Sequence, residues 1–255
     1  MDHLSCSQMN LYMQCSLKYK FLYLDKLPRP FKSSGLAFGS AFHSTLAWFH
    51  RKRMNGNDAA LDTLFKIFDA DWYAQKTGDE IRYKSGDSEM KFKAMARELL
   101  SLYVNHNNVK PLEAEMPFVV PLVNPSSGEK LDVNFEGFID LVEKNDTIAE
   151  FKTSSQTMNQ NEVDNHLQLT AYSYAYEMLY QKPPKRLKLV DFVKTKKPRV
   201  VVLETSCENL DYRRFFNLAK EILKGIQSGV FFPRQSFMCK DCEYSNACRT
   251  WRGSE

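Results

Sequence analysis

Two carboxylates and a lysine are spaced so that neighbouring strands would bring them together. Asp140 closes one apolar segment, and after nine intervening residues the chain reads Glu150-Phe151-Lys152. Because side chains alternate along a strand, Glu150 and Lys152 point the same way while Phe151 points into the core. The polar residues 143–146 are typical of a hairpin turn, which predicts that Asp140 returns beside Glu150.

This trio has the composition of a site that binds a divalent cation and activates water against a phosphodiester. Taken alone, the same set also fits a surface salt bridge on an ordinary hairpin, which is the commoner arrangement. His43 lies near the start of a predicted amphipathic helix and alone fits a packed or surface histidine. Beside two carboxylates, its imidazole would be a further ligand and would make Mn²⁺ acceptable as well as Mg²⁺.

Gln168 and Tyr172 are one helical turn apart, so the amide and the phenol share a helix face. On that face they could hold a nucleotide or orient Lys152. The alternative is that Tyr172, Tyr174 and Tyr176 simply interleave the core and the surface of an amphipathic helix.

Three of the six cysteines lie within ten residues: Cys239, Cys242 and Cys248. Three thiolates need a fourth ligand, because tetrahedral zinc and cubane iron–sulfur clusters both take four. The candidates are the remaining cysteines, Cys6, Cys15 and Cys207. Ligation by Cys15 would clip two distant parts of the chain together. A zinc ribbon usually offers two Cys-x-x-Cys knuckles, so one knuckle plus an isolated cysteine favours iron–sulfur over zinc.

Composition and charge are those of an ordinary soluble globular protein. Of 255 residues, 43% are hydrophobic and 26% charged, and the net charge of +4 permits a polyanionic partner without requiring one. No apolar run reaches the roughly 20 residues of a membrane span, and residues 1–5 do not begin a secretory signal. We therefore expect a cytoplasmic protein with no membrane partner, whose clustered cysteines bind metal rather than form disulfides.

Basic residues form four loose groups, each of which fits a solvated face. Together they would neutralise phosphates on either side of a groove. The groups are Lys18 and Lys20; Arg51, Lys52 and Arg53; Lys182, Lys185, Arg186 and Lys188; and Lys194, Lys196, Lys197 and Arg199.

Periodicity and breakers predict the elements that must position these residues. Helices are expected over about 5–24, 40–54, 58–76, 88–107, 162–180 and 208–228. Strands are expected over about 116–123, 131–142, 147–152, 187–194 and 199–205, with Glu113 and Glu115 as surface residues just before the first. This order lacks strict βαβ alternation, and it favours a mixed sheet flanked by helices in one α/β domain.

In this order along the chain, the motifs resemble those of the PD-(D/E)XK nucleases of the RecB branch. They are most similar to the small CRISPR-associated RecB-like exonucleases and to the iron–sulfur nuclease domain of AddB. The resemblance covers about residues 4–250 and includes Cys15-Ser-Leu-Lys-Tyr19, where Ser16 stands at a position usually held by proline. The family motifs map onto His43, Asp140, Glu150-Phe151-Lys152 and Gln168-x-x-x-Tyr172, and its split cysteine set onto Cys15, Cys239, Cys242 and Cys248.

The resemblance implies a metal-dependent DNA exonuclease acting on single strands or ends, in CRISPR adaptation or recombinational repair and with the proteins of those pathways as partners. Asp140, Glu150, His43 and the Phe151 carbonyl would hold Mg²⁺ or Mn²⁺. Lys152 would act on the attacking water, supported by Gln168 and Tyr172. The four mapped cysteines would carry a 4Fe–4S cluster, with zinc as the alternative.

The resemblance also implies a restriction-endonuclease-like core with a helical N-terminal region and an iron–sulfur-stapled tail. Residues 1–255 would form a single nuclease domain, with a helical insertion at about 50–110, a nuclease core at about 113–205 and a C-terminal helix and cysteine cluster at about 208–250 joined to Cys15. Two departures qualify it: the turn between Asp140 and Glu150 is short for the family, and the sequence has no phosphate-binding loop motif for an unwinding motor. The alternatives are a non-catalytic DNA-end-binding subunit and a zinc-stapled nuclease without iron.

Overall fold

The computed structural model describes residues 3–253, within which a six-stranded mixed sheet is accompanied by a separate two-stranded sheet. The strands are β1 (His3–Leu4), β2 (Lys32–Ser33), β3 (Ile81–Arg82), β4 (Pro111–Val123), β5 (Lys130–Glu143), β6 (Thr147–Ser154), β7 (Arg186–Val193) and β8 (Arg199–Thr205). Strands β2 and β3 form the small parallel sheet.

Helices cover both faces of the main sheet. They are α1 (Cys6–Gln14), α2 (Ser16–Tyr19), α3 (Ser34–Met54), α4 (Leu61–Gly78), α5 (Glu89–His106), α6 (Gln160–Asp164), α7 (Leu167–Tyr180), α8 (Asn209–Gln227) and α9 (Ser245–Thr250). A π-helical turn, Lys20–Leu24, continues α2, and a 3₁₀ helix, Phe237–Asp241, precedes α9.

The order of the main sheet is β4-β5-β6-β7-β8. The short strand β1 pairs with β5, on the edge of β5 that also pairs with β6. Strands β6 and β7 are parallel, β4, β5 and β6 are successively antiparallel, and β8 is antiparallel to β7. The connection between the parallel pair passes through α6 and α7, as a crossover requires. The predicted mixed α/β architecture is confirmed.

Two buried cores sandwich the sheet. One contains Met9 of α1, Leu169 of α7 and Phe215 of α8, packed on strand residues that include Phe118 and Phe135. The other joins α3, α4 and α5 to the opposite face through side chains such as Phe42, Phe68, Leu99, Phe151 and Phe192. The residues of the candidate site lie where β5, β6, α3 and α7 meet between these cores.

The structure corrects four local predictions. The helix expected over 5–24 is interrupted at Cys15, whose backbone is extended with φ −164° and ψ 102°. The helix expected over 162–180 is two helices, separated at Asn165 and His166. Strand β4 begins at Pro111, so Glu113 and Glu115 lie inside it rather than before it. The two-residue strands β1, β2 and β3 were not expected, because so short an extended segment has no periodicity to detect.

Candidate active site

Asp140 lies where β6 separates from β5. The two strands pair only at Leu141 with Ala149 and at Val142 with Ile148. Nearer the start of β5, at Asn134 and Phe135, the strand that pairs with β5 is β1 instead of β6, which leaves a gap between β5 and β6 at Asp140. In the gap, the backbone N–H of Phe151 donates to Asp140 Oδ2 at 2.8 Å. The short hairpin therefore returns Asp140 beside the Glu-x-Lys motif, and the strand that carries the motif fixes its carboxylate.

The alternation of side chains breaks at the same place. Ile139 and Leu141 are two residues apart, yet they pack in opposite cores, and the residues that flank Glu115 on β4 do the same. Glu115 itself has φ 51°, in the left-handed region that non-glycine residues seldom adopt. Arg51 of α3 donates to Glu115 Oε2 at 2.8 Å. This inversion turns Asp140 out of the sheet's regular pleat at the point where the strands divide.

Gly137 allows a neighbouring ring to cross the strand. A Cβ atom at this position would lie 2.7 Å from Phe118 Cζ, closer than real Cβ contacts come. Phe118 is opposite Gly137 in the register and packs in the core beneath α7 and α8. The glycine of the Gly137–Asp140 segment thus serves packing behind the site.

Glu150 is a buried carboxylate with an unsatisfied oxygen. Its side chain is 1% exposed, Oε1 lies 3.4 Å from Lys152 Nζ, and Oε2 has no hydrogen-bond partner within the described chain. Burial raises the pKa of Glu150 well above its usual range, and the nearby Asp140 raises it further. A buried acceptor without a donor is costly, and a cation would satisfy it.

Lys152 is held from the helix side by an amide whose orientation is fixed. Tyr172 Oη accepts from Gln168 Nε2 at 2.6 Å, which leaves Gln168 Oε1 to accept from Lys152 Nζ at 3.3 Å. Burial raises the pKa of Tyr172 well above its usual range, and the Glu150 and Asp140 charges add to this. The phenol of Tyr172 therefore stays protonated. The structure brings Lys152, Gln168 and Tyr172 together in one chain of hydrogen bonds.

His43 reaches the site from α3. Its Nδ1 lies 3.5 Å from Asp140 Oδ2, with the two side chains 31% and 13% exposed. The Phe151 side chain is buried below, edge-on to the imidazole with ring centroids 6.3 Å apart, and only its backbone reaches Asp140. The structure thus brings His43 and the backbone N–H of Phe151 to Asp140, and it places Asp140 near Glu150. We refer to Asp140, Glu150 and Lys152 as the carboxylate site.

Two further residues border the site that the sequence did not assign to it. The buried Cys6 thiol interacts with Glu150 and Lys152, and burial raises its pKa strongly. His166 caps the start of α7, and its Nδ1 is buried without a partner. Burial lowers the pKa of His166 to about 4, with Lys152 contributing, so this imidazole is neutral at pH 7. Its position two residues before Gln168 was the signal available in the sequence.

The side chains around Asp140 and Glu150 determine whether a metal ion could bind at this site. Among residues 3–253, no three His, Cys, Asp or Glu side chains are arranged to hold one. The carboxylate site nevertheless suits a divalent cation, because it contains an unpartnered oxygen of Glu150 beside Asp140, and oxygen ligands are those that Mg²⁺ and Mn²⁺ take.

The late cysteines lie in a region built without strands, residues 236–250, which we call the cysteine segment. Burial raises the pKa of Cys248, and the Cys15 and Cys239 thiols raise it further. Burial likewise raises the pKa of Cys242, with Cys15 among the smaller contributors. Cys15, Cys242 and Cys248 thus pack near one small core and Cys239 influences Cys248, but within residues 3–253 no three of these thiols are arranged to hold a metal ion. Thiolates are soft ligands that suit iron or zinc.

Side chains from both ends of the chain hold the cysteine segment. Lys18 Nζ lies 2.7 Å from Glu243 Oε2, and Tyr244 Oη donates to the Leu27 carbonyl at 3.0 Å. Cys15, Cys242 and Cys248 pack around a small core of Leu17, Phe21 and Tyr244. The other two candidates for a fourth ligand lie elsewhere: Cys6 and Cys207 both belong to the core beneath α7 and α8.

No helix within residues 3–253 is long and apolar enough to cross a membrane. The sequence profile of the PD-(D/E)XK nuclease superfamily matches residues 3–249. No curated protein matches the chain.

Two solved structures resemble this one. The crystal structure of a candidate exonuclease from Eubacterium rectale has a TM-score of 0.61 at 12% identity, covering 100% of this chain and 90% of that one. The structure of SSO0001 has a TM-score of 0.40 at 15% identity, covering 91% of this chain and 94% of that one. At such identity the first likeness shows a shared fold.

Proposed function

The chain belongs to the PD-(D/E)XK nuclease superfamily, and we propose that it is a metal-dependent DNA exonuclease that hydrolyses phosphodiester bonds of single strands or DNA ends. One observation carries this proposal: Glu150 is a buried carboxylate with a free oxygen, placed between Asp140 and Lys152. DNA binding alone has no use for a buried carboxylate pair with an ammonium beside it, whereas metal-dependent hydrolysis uses carboxylates to bind the metal and a cation to stabilise developing charge.

Asp140, Glu150, His43 and the Phe151 carbonyl are the proposed ligands of Mg²⁺ or Mn²⁺. When bound, the metal supplies Lewis acidity toward the phosphate and lowers the pKa of water. Phe151 N–H fixes one oxygen of Asp140, and the hairpin holds the two carboxylates together. These contacts restrain the two proposed carboxylate ligands next to each other.

Lys152 is the proposed partner of the attacking water and of the charge that builds on the phosphate. An ammonium aimed at a developing negative charge stabilises the transition state more than the ground state. Gln168 and Tyr172 act as positioning residues, since Tyr172 fixes the amide that holds Lys152 Nζ. The neutral His166 leaves Lys152 without a second positive charge next to it.

We further propose that Cys15, Cys239, Cys242 and Cys248 hold a 4Fe–4S cluster that joins the first helices to the cysteine segment. The shared neighbourhood of these thiols supports it, and the cluster would supply cohesion to a region with few other contacts. Iron and sulfide content of the purified protein, with its visible absorption, tests this against zinc. The split order of the cysteines also supports a role in CRISPR adaptation or recombinational repair, beside the proteins of those pathways.

The test is digestion of end-labelled linear DNA, single- and double-stranded, with Mg²⁺ or Mn²⁺. An exonuclease shortens both labelled strands from an end and leaves circular single-stranded DNA intact. EDTA should stop cleavage and added Mn²⁺ should restore it. Lys152→Ala should bind DNA without cleaving it, while Lys182→Ala, which removes a surface ion pair with Asp146, is the matched control. Binding without cleavage by the wild-type protein would instead indicate an end-binding subunit.

A further inference from the structure

A cavity of about 820 Å³ lies next to the carboxylate site without containing it. It opens at the carboxyl ends of the parallel strands β6 and β7, between the start of α3 and helix α5. Thr153, one of its wall residues, directly follows Lys152 in β6. The cavity is therefore a continuation of the site along the same strand.

Three lysines line this cavity, and within the described residues the amine of one of them has neither an ion pair nor a hydrogen bond. Lys84 forms an ion pair with Asp241 at 3.3 Å, and Lys91 donates to the Gly86 carbonyl. Lys194 differs: within residues 3–253 its amine forms no ion pair or hydrogen bond, and it lies 4.8 Å from the centroid of the Phe38 ring.

The surroundings of Lys194 disfavour its charge. Burial lowers the pKa of Lys194 to about 8; Asp87 and, more weakly, Asp191 oppose this shift, and Lys84 adds to it. Asp87 and Glu162 also line the cavity, but Glu162 is engaged in accepting from the Asn159 N–H at 2.8 Å. A half-buried ammonium with no carboxylate in contact is stabilised by an anion that enters from solvent.

The length of helix α3 gives the distance between one end of the cavity and the carboxylate site. Gly35 lines the cavity, and His43, two turns later, lies beside Asp140. Between them Gly39 faces Thr153: a Cβ atom added to Gly39 would lie 3.6 Å from Thr153 Oγ1. His43 follows Gly35 by eight positions, which at about 1.5 Å per residue is about 12 Å along the helix. An anion held at the Gly35 end of the cavity is thus too far from Asp140 to be the phosphate that is cut.

We propose that this cavity binds a non-scissile backbone phosphate of the DNA strand, with Lys194 as its charged contact. The hydroxyl-bearing residues Thr153 and Ser155 line the same wall and supply hydrogen-bond donors. The inference rests on the proposed nuclease function and adds to it the surface along which the strand leaves the site. It separates Lys194 from the neighbouring exposed Lys196, with which the sequence groups it.

The test compares Lys194→Gln with Lys196→Gln, a matched change on the same turn. Binding of a single-stranded oligonucleotide is measured with Ca²⁺, across a range of salt concentrations. Losing one phosphate contact should lower the slope of log affinity against log salt by about 0.7. For cleavage, Lys194→Gln should raise KM about tenfold and change kcat less than twofold, whereas Lys196→Gln should change neither.

A neutral linkage identifies the phosphate itself. Methylphosphonates placed singly along the oligonucleotide should weaken wild-type binding at one or two positions away from the cut, and these substitutions should have no further effect in Lys194→Gln. Lys194→Arg, which keeps the charge, should retain wild-type binding and controls for folding. An unchanged slope and KM in a folded Lys194→Gln protein would overturn the subsite. Absence of any cleavage by the wild-type protein would overturn the proposed function instead.

Discussion

The carboxylate site and the cysteine segment are built on different kinds of scaffold. Paired strands and buried helices fix Asp140 and Glu150, and both metal-facing side chains are largely hidden from solvent. The cysteine segment has a 3₁₀ helix and the six-residue α9, and Cys239 is exposed. Packing of strands and helices holds the proposed ligands of the carboxylate site, while we expect the cysteine segment to depend on the cluster proposed for its thiols.

The two regions also differ in how the fold tolerates them. Glu150 is a buried ionisable carboxyl that destabilises the metal-free protein at neutral pH, because desolvation and the Asp140 charge raise its pKa and Lys152 only partly offsets them. Burial raises the pKa values of Cys242 and Cys248, so these two thiols add no buried charge to the metal-free protein at pH 7. We therefore expect substitutions in the carboxylate site to remove activity and substitutions in the cysteine segment to remove stability.

Lys152→Ala gives the largest expected effect, and this effect falls mainly on activity. Removing an ammonium that stabilises developing charge costs about 10²–10³-fold in kcat. Its 35% exposed side chain leaves little packing to lose, but Glu150 loses its charged partner, so the melting temperature should fall modestly while cleavage is lost. Single-turnover cleavage and a thermal melt measure both quantities. A variant that cleaves at the wild-type rate would exclude Lys152 from the site.

Cys15→Ser should show the reverse pattern. Losing one of four ligands should release the metal and lower the melting temperature, because metal binding contributes directly to the stability of the region it closes. Metal content and thermal unfolding provide the measurements, and Cys207→Ser, in the other core, is the matched control. An intact metal content in Cys15→Ser would move the fourth ligand to another residue.

Acid should act on the scaffold of the carboxylate site through His50. This imidazole is fully buried on α3, stacked on Phe151 with centroids 5.7 Å apart, and burial lowers its pKa to about 3. Below its unfolded pKa of about 6.5 the unfolded chain gains a proton that the folded chain does not, so stability falls as pH falls.

The size of this effect follows from the same values. At about 1.36 kcal/mol per pH unit, lowering the pH from 6.5 to 5 should cost about 2 kcal/mol through His50. Urea unfolding at both pH values measures it in the wild type and in His50→Gln, whose pH dependence should be smaller by that amount. His106→Gln, on an exposed position of α5, is the control. Equal pH dependence in the wild type and His50→Gln would show that His50 is not the responsive group.

Glu150→Gln gives the smallest expected change in stability and the most direct test of the contrast. The amide removes a buried charge while retaining the shape, so the metal-free protein should become more stable by about 1 kcal/mol and lose cleavage. The measurement is denaturant unfolding in EDTA. A destabilised Glu150→Gln protein would mean that the carboxylate supports the fold as a structural ion pair with Lys152.

Residue patterns predicted the regular parts of this molecule and missed those set by distant contacts. Strand β5 and helix α5 lie close to their expected bounds because each has a clear period over many residues. The left-handed Glu115 has no local signal, since only the inversion opposite Asp140 requires it. The break at Cys15 likewise depends on contacts with residues more than 200 positions away.

In the candidate site, too, locally encoded features were predictable and features set by distant contacts were not. Asp140, Glu150 and Lys152 were predictable because a hairpin and a strand period are local features. The gap that holds Asp140 was not, because it forms where β1 takes the place of β6. Lys194 could not be told apart from Lys196 for a similar reason: the sequence gives both the same charge, and only the folded chain puts one over Phe38 beside a cavity.

The contacts between the first helices and the cysteine segment set an order of events during synthesis. Leu27 accepts its hydrogen bond from Tyr244, 217 positions later. At about 5–20 residues per second, a ribosome needs roughly 10–40 s to cover that interval. Leu17 and Phe21 remain uncovered for that time, because Tyr244 completes their core. A chain that stops short of the cysteine segment would keep this apolar surface exposed and would therefore be prone to aggregate.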